Sequence, residues 1–287
     1  MKPKLPAVAG RLLILSSLAA LLYFIFPLPL ISPLSAGTHE TAEFDIPNSS
    51  RMLSVGEELT YKVSYSIFSL GKIIVQVKDT IRKEGALVYQ AKAFIDSDVP
   101  FVNLHQVFYS EIDTGYFSKF FTVTDTKDPK EMQFIQYDFD YAKNKVMYEI
   151  GTKPKNLSPQ RGERAVTGFQ QDGLSLFFYA RGNIHKKGSY DVPIFINEKS
   201  FNTHFNFFGK IGSQEIDAVN YPIETKEFDG KAEFTGIFGM TGEFRGYFSN
   251  DAAAVPIVAK MKVILGSVHI ELEKWKREGW VLPKAKG

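Results

Sequence analysis

From Glu57 onward, apolar and polar residues alternate along the chain. Leu59, Tyr61, Val63, Tyr65 and Ile67 take every second position with polar residues between them, the period of a strand with one buried face. Ser69-Leu70-Gly71 reads as a short turn, after which Ile73, Val75 and Val77 resume the alternation, so 57–81 reads as a hairpin. Lys83-Glu84-Gly85 turns the chain into a strand over 87–95. The pattern returns over 104–112, 116–125, 132–141 and 145–150, broken at Asp113-Thr114-Gly115 and at 140–144. Adjacent strands separated by short breaks predict a meander, in which sequence neighbours pair. Residues 151–168 are rich in Gly, Pro, Lys, Arg and Gln and read as a long exposed loop.

One stretch has a different period. In 172–181, Leu174, Phe177 and Phe178 fall at i, i+3 and i+4, which predicts a helix capped by Asp172 and ended by Gly182. Strands follow over 189–197, 201–209, 214–220, 223–228, 242–249, 256–264 and 267–275. The expected fold is therefore mostly β: a large curved antiparallel sheet, or an open barrel or sandwich, with one short helix.

The first 37 residues belong to another class. Lys2, Lys4 and Arg11 precede the uncharged run Leu12–Phe26, and apolar residues continue among Pro27, Pro29 and Pro33 to Ser35-Ala36-Gly37. Two readings fit. A cleaved signal peptide needs a basic start, an apolar core of roughly 7–15 residues and small residues at the cut, which Ser35 and Gly37 supply. An uncleaved anchor needs roughly 20 apolar residues, which 12–34 provides, although the prolines oppose a regular helix past Phe26. Both place the remainder of the chain outside the cytoplasm, because the basic residues come first. The expected organisation is a signal or anchor over 1–37, a polar linker over 38–54 and an antiparallel β domain over 55–282.

Composition narrows the function. At 44% hydrophobic and 14% aromatic, the chain has the apolar content of a folded core. The targeting segment holds three of the 34 basic residues and none of the 32 acidic ones, which leaves 31 against 32 for the rest. A near-neutral domain gives no reason to expect nucleic acid as a partner. Cysteine is absent, which excludes disulfides, thiolate metal sites, cysteine nucleophiles and a lipid-modified cysteine.

The sequence order also resembles a known family, on four pieces. They are Val55-Gly56-Glu57-Glu58-Leu59-Thr60-Tyr61-Lys62-Val63 with Gly71; Asp172-Gly-Leu-Ser-Leu-Phe-Phe-Tyr-Ala-Arg181; Gly246-Tyr247-Phe248-Ser249-Asn250-Asp251 with Val255-Pro256-Ile257; and Gly266-Ser267-Val268 leading to Leu272. Over roughly 55–275 the chain resembles the bacterial envelope family called domain of unknown function 3108. It departs at Gly173, where the family has proline, and at Tyr247-Phe248, where it has valine-tryptophan. The resemblance implies a periplasmic or surface-exposed antiparallel β domain with a helix packed on it, and no established activity.

Candidate chemistry is sparse. His39, His105, His185, His204 and His269 stand at no recognised metal-motif spacing. The acid pairs Glu57/Glu58 and Asp138/Asp140 read as ordinary polar-face residues. Gly236–Gly242 lacks the Gly-Lys-Ser/Thr ending of a phosphate loop and reads as a β loop. Asp172, Arg181 and Asp251 lie inside the family-like pieces. They read as helix cap, helix-end cation and turn residue, and they are the candidate ligand-binding residues if they line a polar mouth beside an apolar groove. Phe201, Phe205 and Phe207 share one strand face, and Tyr137, Phe139 and Tyr141 share another. Such stripes pack a core or line a ligand-holding barrel. The expected function is a non-enzymatic envelope protein without a cofactor. Its expected partners are the membrane, through an uncleaved N-terminal segment, and a lipid or glycan ligand or an envelope protein. An assembly factor presenting an edge strand and an envelope hydrolase are the alternatives.

Overall fold

A computed structural model describes residues 52–99, 102–155, 158–234, 242–262 and 267–286. The N-terminal segment, His39, most of the linker and residues 235–241 lie outside them. Fourteen strands form one antiparallel sheet in the order β8-β7-β6-β5-β4-β3-β2-β1-β14-β13-β12-β11-β10-β9. The first eight are β1 (Glu58–Tyr65), β2 (Phe68–Lys83), β3 (Ala86–Val99), β4 (Val102–Asp113), β5 (Ser118–Asp125), β6 (Met132–Asp140), β7 (Lys145–Lys153) and β8 (Gln160–Ala165). The helix α1 (Ser175–Asn183) comes next. Then come β9 (Gly188–Ile196), β10 (Lys199–Gln214), β11 (Ile223–Ala232), β12 (Gly242–Ser249), β13 (Pro256–Lys262) and β14 (Ser267–Lys276).

Every strand pairs with its sequence neighbour except at two places. β1 pairs with β14, and β8 and β9 form the two edges. The strictly up-and-down path gives the sheet two rims. One carries Glu57, the turn at 113–117, α1, the turn at 250–255 and the C-terminal residues. The other carries the turns at 66–67, 126–131 and 197–198.

The sheet rolls up on itself. Tyr137 on β6 packs edge-on against Phe195 on β9 at 4.9 Å, and its hydroxyl donates to Glu198. The chain leaving β8 bridges the seam. Ser118 N donates to the Gln170 carbonyl, Gln171 N to the Pro193 carbonyl and Phe195 N to the Gln171 carbonyl. Pro193 sits where edge-strand position makes its missing N–H harmless. The helix then packs inside the roll at the first rim. Phe177 meets Tyr61, Tyr179 meets Phe205, and Phe178 and Ile184 are fully buried. We call that rim the closed end and the opposite one, which no helix plugs among the described residues, the open end.

Several expectations need correction. The β1–β2 turn is at 66–67, with Ser66 in the left-handed region at φ 53°, so Ile67 leaves the buried face. Gly71 lies within β2, where a Cβ would collide with the Asp96 carbonyl, so its lack of a side chain serves a register shift and not a turn. Residues 151–168 contain the end of β7 and all of β8. This strand, Gln-Arg-Gly-Glu-Arg-Ala, is polar throughout because both its faces are largely exposed, and Arg161–Glu149 and Lys145–Glu163 pairs tie it to β7. β10 absorbs Gln214 and the chain turns over 215–222, with Ile216 buried beneath. The helix lies two to three residues later than its pattern predicts. Gly182 does not end it, because the Tyr116 ring packs where a side chain would stand.

Candidate functional site

At the closed end the chain buries a charged group. The Arg181 side chain on α1 is completely buried. Its Nη1 donates to Glu57 Oε1 at 2.7 Å, and its Nη2 donates to Glu57 Oε2 at 3.1 Å and to the Ala253 carbonyl at 3.0 Å. Nε donates to the Ala254 carbonyl at 3.2 Å. This is the bidentate fork geometry that makes arginine suited to buried carboxylates. Arg277, just past β14, donates to the second Glu57 oxygen and to the Met52 carbonyl. Burial works to raise the Glu57 carboxyl, but Arg181 and Arg277 outweigh it and hold it below its ordinary value. One carboxylate therefore joins β1, α1, the β12–β13 turn and the C-terminal segment.

Asp172 is also completely buried. Its Oδ1 accepts from the backbone N–H groups of Leu174 and Ser175, which cap α1 as the sequence suggests, and its Oδ2 accepts from Ser110 and Ser118 at 2.5 Å each. Ser175 Oγ accepts from Asp172 N, closing the cap in the other direction. Burial pushes this carboxyl upward against those four hydrogen bonds. Asp251 is half-buried in the β12–β13 turn. Its Oδ1 accepts from Ser249 Oγ and from the N–H groups of Ala253 and Ala254, and its Oδ2 accepts from Trp280 Nε1. The structure brings Arg181 and Asp251 to the same turn, because Arg181 grips the carbonyls that follow Asp251. Asp172 stands at the other end of the helix. Each of the three side chains is engaged in hydrogen bonds within the protein.

Sequence reasoning missed Glu57, Arg277, Ser110 and Ser118. Glu57 reads as a polar-face residue, yet it is buried beside the half-exposed Glu58, which accepts from Gln76. The usable signal was its place inside the first family-like piece. Arg277 had none, since it follows the last strand in a charged tail.

Toward the open end one face of the sheet is apolar. On β1 the buried face carries Leu59, Tyr61 and Val63, and Tyr65 continues it toward the rim. Tyr65 stands directly opposite Phe68 on β2 and Val268 on β14. Val268 faces Met261 on β13, and Met261 faces Phe244 on β12. The row continues through Gly230 to Phe205 and Tyr190. Side chains opposite one another share a face, so one apolar row crosses eight strands. Under α1 it is covered: Tyr179 lies on Phe205. Toward β1 it emerges. Val63 and Val268 form a separate buried pair, bordered by half-exposed Tyr65, Leu70, Ile73, Met261 and Ile270. Glycines make room for the rings, Phe244 over Gly230 and Phe228 over Gly246.

Of the aromatic stripes, Phe205 and Phe207 stack in parallel at 5.6 Å inside the roll, while Phe201 is half-buried against Phe234. Tyr137 and Phe139 fill the seam against Phe195. Tyr141 lies in a 3-10 turn past β6, and its hydroxyl donates to the Ser118 carbonyl.

The described histidines each have a partner. His105 pairs with Asp96 and His204 with Asp191. His269 contacts Glu271. His185 Nε2 donates to the Asp251 carbonyl, leaving Nδ1 to accept from Lys226. Among the described residues no three His, Cys, Asp or Glu side chains are grouped to hold a metal ion. Surface depressions of about 340 Å³ and about 500 Å³ lie beside Asp96, His105 and Lys127 and beside the 215–222 turn, respectively.

The four family-like pieces thus meet in space. Glu57 and Tyr61 from the first, Asp172 and Arg181 from the second, Asp251 from the third and Leu272 from the fourth lie around α1 and the core it fills, while Val268 pairs with Val63 from the first. The family described as Protein of unknown function (DUF3108) matches residues 60–273. The chain belongs to that family. No curated protein matches it. Among solved structures, this DUF3108 chain is similar to a β-barrel-like protein of domain of unknown function DUF1849 from Brucella abortus, at 13% identity and TM-score 0.47 over 77% of this chain and 97% of that one. It is also similar to a protein with a YmcC-like fold from Bacteroides fragilis, described as a candidate exported protein, at 9% identity and TM-score 0.32 over 78% of this chain and 97% of that one.

Proposed function

We propose that this DUF3108 protein is an exported, non-enzymatic domain of the bacterial envelope whose open end shelters the apolar part of a lipid-like ligand. The observation that carries this reading is the apolar row that α1 covers at Phe205 and leaves half-exposed at Phe244, Met261 and Tyr65. A folded chain gains about 0.8 kcal/mol for each methylene it removes from water, and half-exposed rings and branched side chains on a fixed sheet offer such burial at little ordering cost. Export is supported by the basic start and the apolar run Leu12–Leu34. The charged groups at the closed end hold the roll rigid while the ligand occupies the other rim.

The test is native mass spectrometry of the full chain purified from its own host in mild detergent, beside a Met261→Glu variant. A bound lipid or glycolipid mass on the parent, absent from the variant, supports the reading. A bare parent mass sinks it. The outer edge of β8 pairs with no other described strand, which favours a second reading in which that edge receives a strand from an envelope partner. Crosslinking from β8 in cells would then capture one protein.

A further inference from the structure

The outer edge of β8 carries a pattern that is its own complement. Val166 N donates to the Asn144 carbonyl, and β7 and β8 continue in that register. Hydrogen-bonded pairs alternate along an antiparallel ladder, so residues 160, 162 and 164 turn their N–H and C=O groups toward β7. Those of Arg161, Glu163 and Ala165 turn outward, where β8 pairs with no other described strand. Pro159 shares their phase but has no N–H, so it ends the row of donors. Every residue of β8 except Gly162 is exposed, which leaves the row open to a further strand.

The charges specify which strand. Charges of one sign keep a second strand away; those of β8 alternate. Arg161 and Glu163 project from the same face, on either side of Gly162. Arg161 Nε donates to Glu149 at 2.9 Å and Lys145 Nζ to Glu163 at 2.7 Å, so both charges are held in place. A second copy of β8, laid antiparallel about a two-fold axis at Gly162, sets each Arg161 against the other copy's Glu163. Moving the axis to Arg161 sets arginine against arginine, and moving it to Glu163 sets glutamate against glutamate, which repel when directly opposed. An axis between residues sets outward N–H groups against inward ones. The axis at Gly162 satisfies charge and backbone together.

In that register Arg161 and the second copy's Glu163 exchange both backbone hydrogen bonds, and the Ala165 N–H meets the second copy's Pro159 carbonyl. Charge alternates across the junction through Glu149, Arg161, the second copy's Glu163 and its Lys145. The axis falls on a non-hydrogen-bonded pair, where Cα atoms approach to about 4.5 Å. Glycine stands there because the Tyr148 hydroxyl fills the place of a Cβ.

We propose that two copies of this chain join β8 to β8, antiparallel about Gly162, in one continuous sheet. This goes beyond the partner-strand reading by naming the occupant of that edge, and it is independent of the ligand. The two-fold axis uses both β8 edges, so pairing through them stops at two. An edge of six residues is short for a stable interface, and its charges are exposed, so the dimer weakens as salt rises.

The chain has no cysteine, so cysteines can be placed at will. Across the axis residue 160 faces the second copy's residue 164 as a non-hydrogen-bonded pair, at a Cα separation a disulfide accepts. Two differently tagged full chains in mild detergent, one Gln160→Cys and the other Arg164→Cys, are mixed, gently oxidised and read on a non-reducing gel. Expected are a mixed dimer from the two together and monomer from either alone. Adding Arg161→Glu to both chains opposes glutamates and abolishes the dimer. Adding Arg161→Glu to the first and Glu163→Arg to the second restores it, because every pair across the junction is again unlike; a general effect on folding or detergent does not recover in this way. No mixed dimer, equal crosslinking in every combination, or no recovery by the complementary charges each overturns the proposal. If the Arg164→Cys chain in host cells joins a different protein instead, the second copy is wrong and the partner-strand reading stands; if it joins nothing, both fail. The ligand reading is tested apart from these, since the bound mass on the parent does not depend on β8.

Discussion

Arg181→Met isolates the group that ties the closed end together. The methionine keeps most of the aliphatic volume beside Phe177 and Phe178, whose rings lie 5.7 and 5.6 Å from the guanidinium, and removes the charge and five donors. Glu57 then keeps Arg277 alone. Breaking a buried pair from one side costs about 3–5 kcal/mol, and the remaining arginine places this case near the lower figure. The Ala253 and Ala254 carbonyls lose their donor, at about 1 kcal/mol each. The expected loss is about 5 kcal/mol, or roughly 10–20 °C in Tm at 2–4 °C per kcal/mol for a domain of this size. Urea unfolding followed by tryptophan emission reads it directly, since Trp275 and Trp280 both stand at the closed end. The triple variant Arg181→Met, Glu57→Met, Arg277→Met should recover part of the loss, because an apolar replacement leaves no charge behind. A loss under about 1 kcal/mol for Arg181→Met would refute the account of the group as a buried ion network.

Glu57→Gln tests the same group through pH. A carboxyl held below its unfolded value of about 4.3 stabilises fully above that pH and loses its contribution as pH falls through the folded value. The parent's urea midpoint should therefore drop more steeply below pH 4.5 than the variant's, and parallel curves would contradict the assignment. Ser118→Ala takes one hydroxyl from the buried Asp172 carboxylate and should cost about 1–3 kcal/mol, measured by chemical unfolding. Gly246→Val drives a side chain into the Phe228 ring and should cost about 1–3 kcal/mol or more by overpacking, visible as a lowered Tm. His185 is held below its ordinary value by burial and by Lys226, so above about pH 6.5 its ring is neutral and Nδ1 accepts from Lys226, a bond lost as pH falls through the lowered value while Nε2–H keeps the Asp251 carbonyl; an NMR titration of its ring gives the midpoint, and a value above 6.5 would contradict the neutral ring.

Most of the sheet was legible because a strand with one face in the core writes period-two alternation into its sequence, and β1, β4 and β6 did so. β8 did not, because an edge strand exposed on both faces has nothing to alternate. The β1–β2 turn was misplaced because glycine is read as turn punctuation, and Gly71 instead answers to the close approach of the Asp96 carbonyl. The closed end was half legible. Asp172 and Arg181 stood out within the helical piece, but their partners Glu57, Ser110, Ser118 and Arg277 lie 54–124 residues away in sequence. Only the rolled sheet brings them together. The uncovered stretch of the apolar row was invisible for the same reason, since it runs across strands and not along one.

The pairing of β1 with β14 has a consequence for a chain that is made from its N-terminus. Every other strand contact joins neighbours and can form within moments of their arrival. β1 alone must wait, its outer edge open, until the last strand has been made more than 200 residues later. Throughout synthesis the leading meander carries an unpaired strand edge and an unfilled interior, the state most prone to pairing with the wrong neighbour. The Glu57 carboxylate is likewise incomplete until Arg181 and then Arg277 arrive. Closure of the sheet is thus gated by the final segment of the chain, and a truncation that removes β14 should leave a product that accumulates as aggregate and not as a smaller folded domain.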